Sequence, residues 1–266
     1  PPSRGTLTVT FAPLPPAAKP IARPAVALLL DASGSMLQTI KGRKKIDIAR
    51  SELDHLVRDV IPDGTPMTLR VYGQGGRGSC RSDLMMPLAP LDRAQAEAIV
   101  AKVRSTDGAK TATAASLRAT TQDLANAQGQ RHVILITDGG ENCSGNVEAE
   151  IADLKKSGFD VQLDIVGFVI DAPQTGQTFA RWAQLGGGKY FEASDAATLD
   201  KAMRAAVKRQ FEAIDAKGQV VASGDIGGNP VTLPPGRYTV RLRGHQDVST
   251  GADVKPNASA TVVLRQ

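Results

Sequence analysis

Five consecutive residues, Asp31 to Ser35, combine one carboxylate with two hydroxyls in a pattern that can bind a metal ion. Their sequence, Asp-Ala-Ser-Gly-Ser, follows a purely apolar run over residues 25–30, which is typical of a strand buried on both faces of a sheet. The end of that strand delivers Asp31, Ser33 and Ser35 into one tight turn. All three offer hard oxygen atoms and no His or Cys lies nearby, so the ions that suit them are Mg²⁺, Mn²⁺ and Ca²⁺ rather than Zn²⁺.

The same pentapeptide has a simpler interpretation. Ser and Asp side chains commonly accept hydrogen bonds from the first backbone N–H groups of a helix, so these residues could merely cap the helix that follows the strand. The pentapeptide alone leaves both interpretations open.

Asp-x-Ser-x-Ser at the end of an apolar strand resembles the metal-ion-dependent adhesion site of von Willebrand factor type A domains. Two further segments match that family in order and spacing. Residues 107–117 form a Gly-containing turn with a Thr just before a helix, and the apolar run 133–137 ends on Asp138 and Gly139, like the family's Thr-Asp-Gly strand. The resemblance covers about residues 25–209, most of the chain.

The resemblance implies one divalent cation, Mg²⁺ or Ca²⁺, with Mn²⁺ as a further candidate. In the family, the two serines and either the threonine or an aspartate bind the ion directly, and the carboxylates often act through water. The residues of this chain that match are Asp31, Ser33, Ser35, Thr111 and Asp138. Thr113 is the alternative to Thr111 as the threonine ligand.

The function that the resemblance implies is metal-dependent adhesion or protein binding. The three loops are expected at the point where the strand order of an open α/β sheet reverses, which is where such sheets bind ligands. An acidic group of a partner could complete the coordination of the ion. The implied partner is therefore a protein or a surface polymer that offers a carboxylate. Lys110 and Glu141 are expected to flank the site as rim residues.

Catalysis is the weaker interpretation of the same carboxylates. A phosphoryl-accepting Asp31 would need a second Asp two residues later, where this chain has Ser33. The chain contains neither a Gly-x-Ser-x-Gly elbow nor a phosphate-binding loop. None of its histidines (His55, His132 and His245) lies beside a nucleophile. We therefore expect a non-enzyme, with an intracellular scaffold of an ATPase complex as the main alternative and a metal-dependent hydrolase as the lesser one.

The two cysteines bear on the location of the protein. Cys80 lies in the loop after the predicted strand 69–72, and Cys143 lies five residues beyond Asp138. Both loops belong to the carboxyl-end edge of a doubly wound sheet, so a disulfide is geometrically plausible and would imply an oxidising compartment. Two free thiols in a cytosolic protein are the alternative. Bacterial exported members of the family resemble this chain around Cys80, which favours the periplasm or the cell surface.

Composition and charge exclude some classes of function. The net charge of +5 is modest and scattered, without the basic and aromatic interleaving of a nucleic-acid groove. The densest basic run, Lys41, Arg43, Lys44 and Lys45, is interpreted as a solvated helix start. No stretch reaches the roughly 18 apolar residues that a membrane span requires.

The pattern of elements predicts an α/β fold with a second, all-β domain. Strands and helices alternate over residues 25–209, which favours a doubly wound, mostly parallel sheet flanked by helices. Residues 210–266 contain several short alternating strands and predict a small β-sandwich. Its Leu-Pro-Pro-Gly-x-Tyr-x-Val stretch resembles prealbumin-like and carboxypeptidase-regulatory-like modules. Residues 1–24 predict a strand, Thr6–Phe11, that joins this sandwich, followed by a Pro-rich tether over residues 13–24.

Overall fold

The computed structural model divides the chain into two compact units. The larger spans Ala22–Val207, and the smaller combines Pro1–Ile21 with Lys208–Gln266. The predicted tether lies outside the described residues up to position 23. The structure describes residues 4–11, 24–157, 161–170, 172–207, 210–243 and 248–264.

The elements alternate as a doubly wound fold requires and then change to strands alone. The strands are β1 (Gly5–Phe11), β2 (Ala25–Asp31), β3 (Thr39–Ile40), β4 (Arg43–Lys44), β5 (Pro66–Tyr72), β6 (Ser82–Pro90), β7 (Arg131–Thr137), β8 (Val161–Phe168), β9 (Gly187–Ala193), β10 (Gln210–Ile214), β11 (Val220–Asp225), β12 (Val231–Leu233), β13 (Gly236–Leu242), β14 (Ser249–Val254) and β15 (Ser259–Leu264). The α-helices are α1 (Lys45–His55), α2 (Arg93–Val100), α3 (Thr113–Asp123), α4 (Val147–Lys156), α5 (Pro173–Leu185) and α6 (Ala196–Val207).

The larger unit is built on a six-stranded sheet with the order β6-β5-β2-β7-β8-β9. All neighbours run parallel except β6, which pairs antiparallel with β5 at one edge. Every residue of β2 and of β7 is buried, as the apolar runs predict, because helices cover both faces. One face packs on α1, α2 and α6, and the other on α3, α4 and α5. The predicted α/β fold with a mostly parallel sheet is confirmed.

The chain leaves β2 toward one edge of the sheet and later returns through β7 toward the other edge. The crevice outside the carboxyl ends of β2 and β7 is therefore the topological switch point. Asp31 is the last residue of β2, and the loops that follow the two strands contain Ser33, Ser35 and Asp138.

In its described residues the smaller unit forms two sheets, with the orders β12-β1-β15 and β11-β10-β13-β14. Their inner faces share one apolar core, in which Leu7, Phe211 and Val240 are fully buried. Strand β1 pairs in parallel with β15, from Thr6 opposite Ser259 onward, and antiparallel with β12. This arrangement fits a small β-sandwich.

Candidate metal centre

Three loops meet at the carboxyl-end edge of the larger sheet. The first site loop follows β2 and contains Ser33 and Ser35, the second precedes α3 and contains Thr111, and the third follows β7 and begins with Asp138. The Gly34 amide donates to the carbonyl of Ala109 at 3.0 Å, which joins the first loop to the second.

Side chains and backbone also join the third loop to the other two. Ser35 Oγ donates to Asp138 Oδ1 at 2.6 Å. Two hydrogen bonds join Asn142 to Thr111. The side-chain oxygen of Asn142 accepts from the backbone N–H of Thr111 at 2.6 Å, and the backbone N–H of Asn142 donates to the Thr111 carbonyl at 3.1 Å. The predicted ligands therefore belong to one interconnected cluster. Asn142 was missed in the sequence because an Asn in a loop has no spacing signal.

The two serine hydroxyls face each other and one of the carboxylates. Ser33 Oγ lies 3.1 Å from Ser35 Oγ, and Ser35 Oγ in turn contacts Asp138. This separation is close to the oxygen–oxygen edge of an octahedral site for a small divalent cation, whose metal–oxygen distances are about 2.1 Å. Hydroxyl and carboxylate oxygens are the donors that Mg²⁺ and Ca²⁺ prefer.

Asp31 is completely buried beneath the first site loop. Its Oδ1 accepts from the Ser33 amide at 2.8 Å, and its Oδ2 accepts from Thr137 Oγ1 at 2.6 Å. Burial, and secondarily the charge of Asp138, raise the pKa of Asp31 to about 7. A divalent cation bound beside Asp31 would favour the ionised form and so lower this pKa again.

The exposure of Lys45 differs from the one predicted from the sequence. Lys41, Arg43 and Lys44 are exposed as predicted, but Lys45 is only 3% exposed. Its Nζ lies 3.0 Å from Asp138 Oδ2. The prediction of a solvated run was wrong for this residue.

The spacing of residues along α1 indicates that Lys45 is buried. Lys45, Ala49 and Leu53 are spaced by four residues, so they share the buried face of the helix. A charged residue on an otherwise apolar face indicates a buried partner, and Asp138 is that partner.

The two candidate threonines have different surroundings. Thr111 is 3% exposed, and its hydroxyl has no hydrogen-bond partner within the described part of the chain. Thr113 is the first residue of α3, and its hydroxyl lies 3.4 Å from the Tyr72 hydroxyl in the interior. Thr111 is therefore the better candidate ligand, as the resemblance implies.

Glu141 braces the third site loop from within. Its carboxylate accepts from the amides of Ala114, at 2.7 Å, and Cys143, at 2.5 Å. These bonds hold the start of α3 against the third loop. Glu141 is thus a half-buried structural residue, whereas Lys110 is exposed at the rim.

The loop between β5 and β6, residues 73–81, closes the cluster from the side. Cys80 and Cys143 form a disulfide, which joins this loop to the third site loop. The Gly78 amide donates to the Gly108 carbonyl at 2.7 Å, which joins it to the second loop as well. Gly73, at φ +85°, lies so close to the first loop that a Cβ there would be 2.3 Å from the Ser33 nitrogen.

A second group of possible ligands lies away from the site loops. Glu52, His55 and Asp200 have ligand atoms within 4.8 Å of one another. However, Arg204 donates to Asp200 at 2.8 Å, and its Nη2 lies 2.9 Å from His55 Nε2. The guanidinium already supplies the positive charge of this cluster.

Comparison with known proteins identifies the larger unit. A family profile of the von Willebrand factor type A domain matches residues 25–205. The chain belongs to this family.

Relatives and solved structures agree with this assignment. The uncharacterised protein YwmD of Bacillus subtilis (strain 168) is 32% identical over 206 residues, which cover 74% of this chain and 91% of YwmD. A von Willebrand factor type A structure from Catenulispora acidiphila has a TM-score of 0.55 at 17% identity, over 90% of this chain and 67% of that one. Proximal thread matrix protein 1 from the mussel byssus, with a zinc-occupied metal-ion-dependent adhesion site motif, has a TM-score of 0.56 at 22% identity, over 70% of this chain and 46% of that one.

Membership of the von Willebrand factor type A family defines the general role of the larger unit. Domains of this family are in general non-catalytic modules for adhesion or protein interaction, and some carry a metal-ion-dependent adhesion site. None of the helices in the described ranges combines the length and the apolar character needed to cross a membrane.

Proposed function

We propose that this von Willebrand factor type A domain is a divalent-cation-dependent binding module that recognises an acidic group on a protein or a surface polymer. The observation that carries the proposal is the contact of three oxygen side chains from two loops, Ser33, Ser35 and Asp138, at the switch point of the sheet. A mere helix cap does not account for it, because the 3-10 turn that follows Ser33 receives no side-chain cap hydrogen bond.

The donor set fits a hard cation. Ser33, Ser35 and Thr111 would hold the ion directly, with Asp31 and Asp138 as the nearby carboxylates. When bound, the cation supplies a Lewis-acidic position that accepts a carboxylate oxygen from a partner. Because the donors are all oxygen atoms, we propose Mg²⁺ or Ca²⁺, with Mn²⁺ as a further candidate.

We also propose that the protein works outside the cytoplasm, in the periplasm or at the cell surface. The Cys80–Cys143 disulfide supports this location, because such bonds persist in oxidising compartments. The same bond disfavours the alternative of an intracellular scaffold for an ATPase complex.

The first prediction concerns the cation itself. Replacing Asp31 by Ala removes a buried carboxylate of the cluster, so isothermal titration with Mg²⁺, Ca²⁺ or Mn²⁺ should show binding to the wild type and none to Asp31→Ala. The fold should persist, because the sheet core does not depend on the metal.

A matched control is Asp107→Ala. Asp107 is an exposed aspartate of the second loop that pairs with Arg77, so its loss removes an equal charge from outside the cluster. Equal cation affinities in wild type and Asp31→Ala would refute the site. A loss of affinity of the same size in both variants would assign binding to general surface charge instead.

A further inference from the structure

The ammonium group of Lys45 is an unusual component of this site. It lies 3.0 Å from Asp138 Oδ2 and 3.4 Å from the carbonyl oxygen of Val169. These partners follow the ends of the neighbouring strands β7 and β8. A cation therefore already contacts one of the two carboxylates expected beside the metal.

The placement of Lys45 is unfavourable on three grounds. The ammonium is buried, and it belongs to the first residue of α1, where the helix dipole disfavours positive charge. Val169, which supplies the second acceptor, has φ +53°, a conformation that a β-branched residue rarely adopts. A buried ion pair adds little net stability compared with apolar packing, so stability alone is a poor explanation for this arrangement.

Charge counting gives a better explanation. The ionised Asp31 and Asp138 together with Lys45 carry a net charge of about −1. Among the charged residues of the loops, Arg77 and Asp107 are bonded to each other, and Lys110 is exposed, so solvent screens its charge. A divalent cation would therefore leave the loaded site with a net charge of about +1 rather than neutral.

We infer that Lys45 makes the cation-loaded site a receptor for a single carboxylate. Its positive charge weakens the hold of the site on the metal and strengthens the attraction of the loaded site for an anion. Its hydrogen bond also occupies Asp138 Oδ2, which leaves Oδ1 directed at Ser35. Lys45 is thus a specificity-determining and positioning residue, and its role rests on the proposed function.

The test separates the charge of Lys45 from its hydrogen bond. Lys45→Gln keeps a donor for Asp138 and removes the charge, Lys45→Met removes both, and Lys45→Arg keeps the charge. Lys110→Met is the matched control, because it removes an exposed positive charge from the second site loop.

Two affinities are measured for each variant, with melting temperatures to confirm folding. Mn²⁺ alone is titrated by calorimetry, and acetate is then titrated into the Mn²⁺-loaded protein by water-proton relaxation. Lys45→Gln should bind Mn²⁺ about tenfold more tightly and acetate about tenfold more weakly than the wild type. Lys45→Arg keeps the charge, so it should not combine tighter Mn²⁺ binding with weaker acetate binding. Lys110→Met should change each affinity by less than about twofold, because exposed charges are screened.

Opposite signs of the two changes are the decisive result. If Lys45→Gln and Lys45→Met both weaken Mn²⁺ binding, Lys45 only holds Asp138 in place and the inference is overturned. Unchanged affinities for both probes overturn it as well. A wild type that does not bind Mn²⁺ at all refutes the proposed function itself, which is a separate outcome.

Discussion

At the scale of single residues, Asp31 links the chemistry of the site to the stability of the fold. It is fully buried, and its pKa is raised to about 7 because burial and then the charge of Asp138 disfavour ionisation. In the unfolded chain an aspartate loses its proton near 3.8. Between these values the folded protein binds more protons than the unfolded chain, so ionising Asp31 costs folding free energy as the pH rises.

The raised pKa of Asp31 leads to a prediction for the stability of the protein without added cation. The free energy of unfolding should fall as the pH rises from about 4 to about 7, and this decline should be shallower in Asp31→Asn, which cannot ionise. Urea titrations in EDTA at about pH 5 and about pH 7.5 measure the difference between the two proteins. Adding Mg²⁺ should stabilise the wild type more at the higher pH, where Asp31 is ionised. If the free energy of unfolding depends on pH identically in both proteins, the pKa of Asp31 is not raised in the folded state.

At the scale of elements, loops rather than strands hold the site together. Strands β2 and β7 place Asp31 and Asp138, but the second site loop is held by backbone bonds to its neighbours and by Asn142. The loop over residues 73–81 adds no predicted ligand, yet it is bonded to the second loop and, through the disulfide, to the third. These bonds restrict the motion of the site loops, and so they reduce the part of the entropy cost of metal binding that comes from ordering the loops.

The Cys80–Cys143 disulfide is predicted to affect both the stability of the fold and the affinity for Mg²⁺. The bond spans 63 residues, and closing a loop of that length stabilises by roughly 4 kcal/mol in the chain-entropy model, with real cases often lower. The double variant Cys80→Ser, Cys143→Ser should melt at a lower temperature and bind Mg²⁺ several-fold more weakly, because the third site loop is released from the loop over residues 73–81. Calorimetric titration compares it with the wild type and with reduced wild type. Unchanged Mg²⁺ affinity would show that the bond stabilises the fold without organising the site.

The strands and loops of the site could be predicted from the sequence more fully than the contacts between them. Apolar runs that end in Asp or Thr-Asp-Gly place β2, β7 and their loops, because buried strands and tight turns have strong local signals. The contacts of Lys45, Thr137 and Glu141 depend on which segments become neighbours in space, and a single sequence does not show that. Lys45 was nevertheless detectable, since helical spacing puts it on the buried face of α1.

At the scale of the whole molecule, the chain builds its smaller unit from both of its ends. Alternation of apolar residues predicts the strand Thr6–Phe11 and its place in the sandwich. It does not predict which strands flank it or in which direction they run, because a strand with one apolar face can pair either way. The structure places β1 between β12 and β15, with Leu7 and Val9 in the apolar core. Without β1, strands β12 and β15 would lose the strand that joins them.

The last prediction tests this dependence. Replacing both Leu7 and Val9 by Ala opens a cavity in the core of the smaller unit, where each side chain is at most 1% exposed. A Leu→Ala change at such a site costs about 2–5 kcal/mol, which is a large share of the stability of so small a unit. Amide hydrogen exchange should therefore accelerate in β15, around Val262, and across the facing sheet, while β2 keeps its protection.

Thr8→Ala is the matched control, because Thr8 alternates with the two buried residues and is only partly buried. It should leave the exchange rates of both units close to those of the wild type. Unchanged protection at Val262 in the double variant would show that β1 contributes little to the smaller unit. Equal acceleration in β2 and β15 would show instead that the two units unfold together, against their division into separate cores.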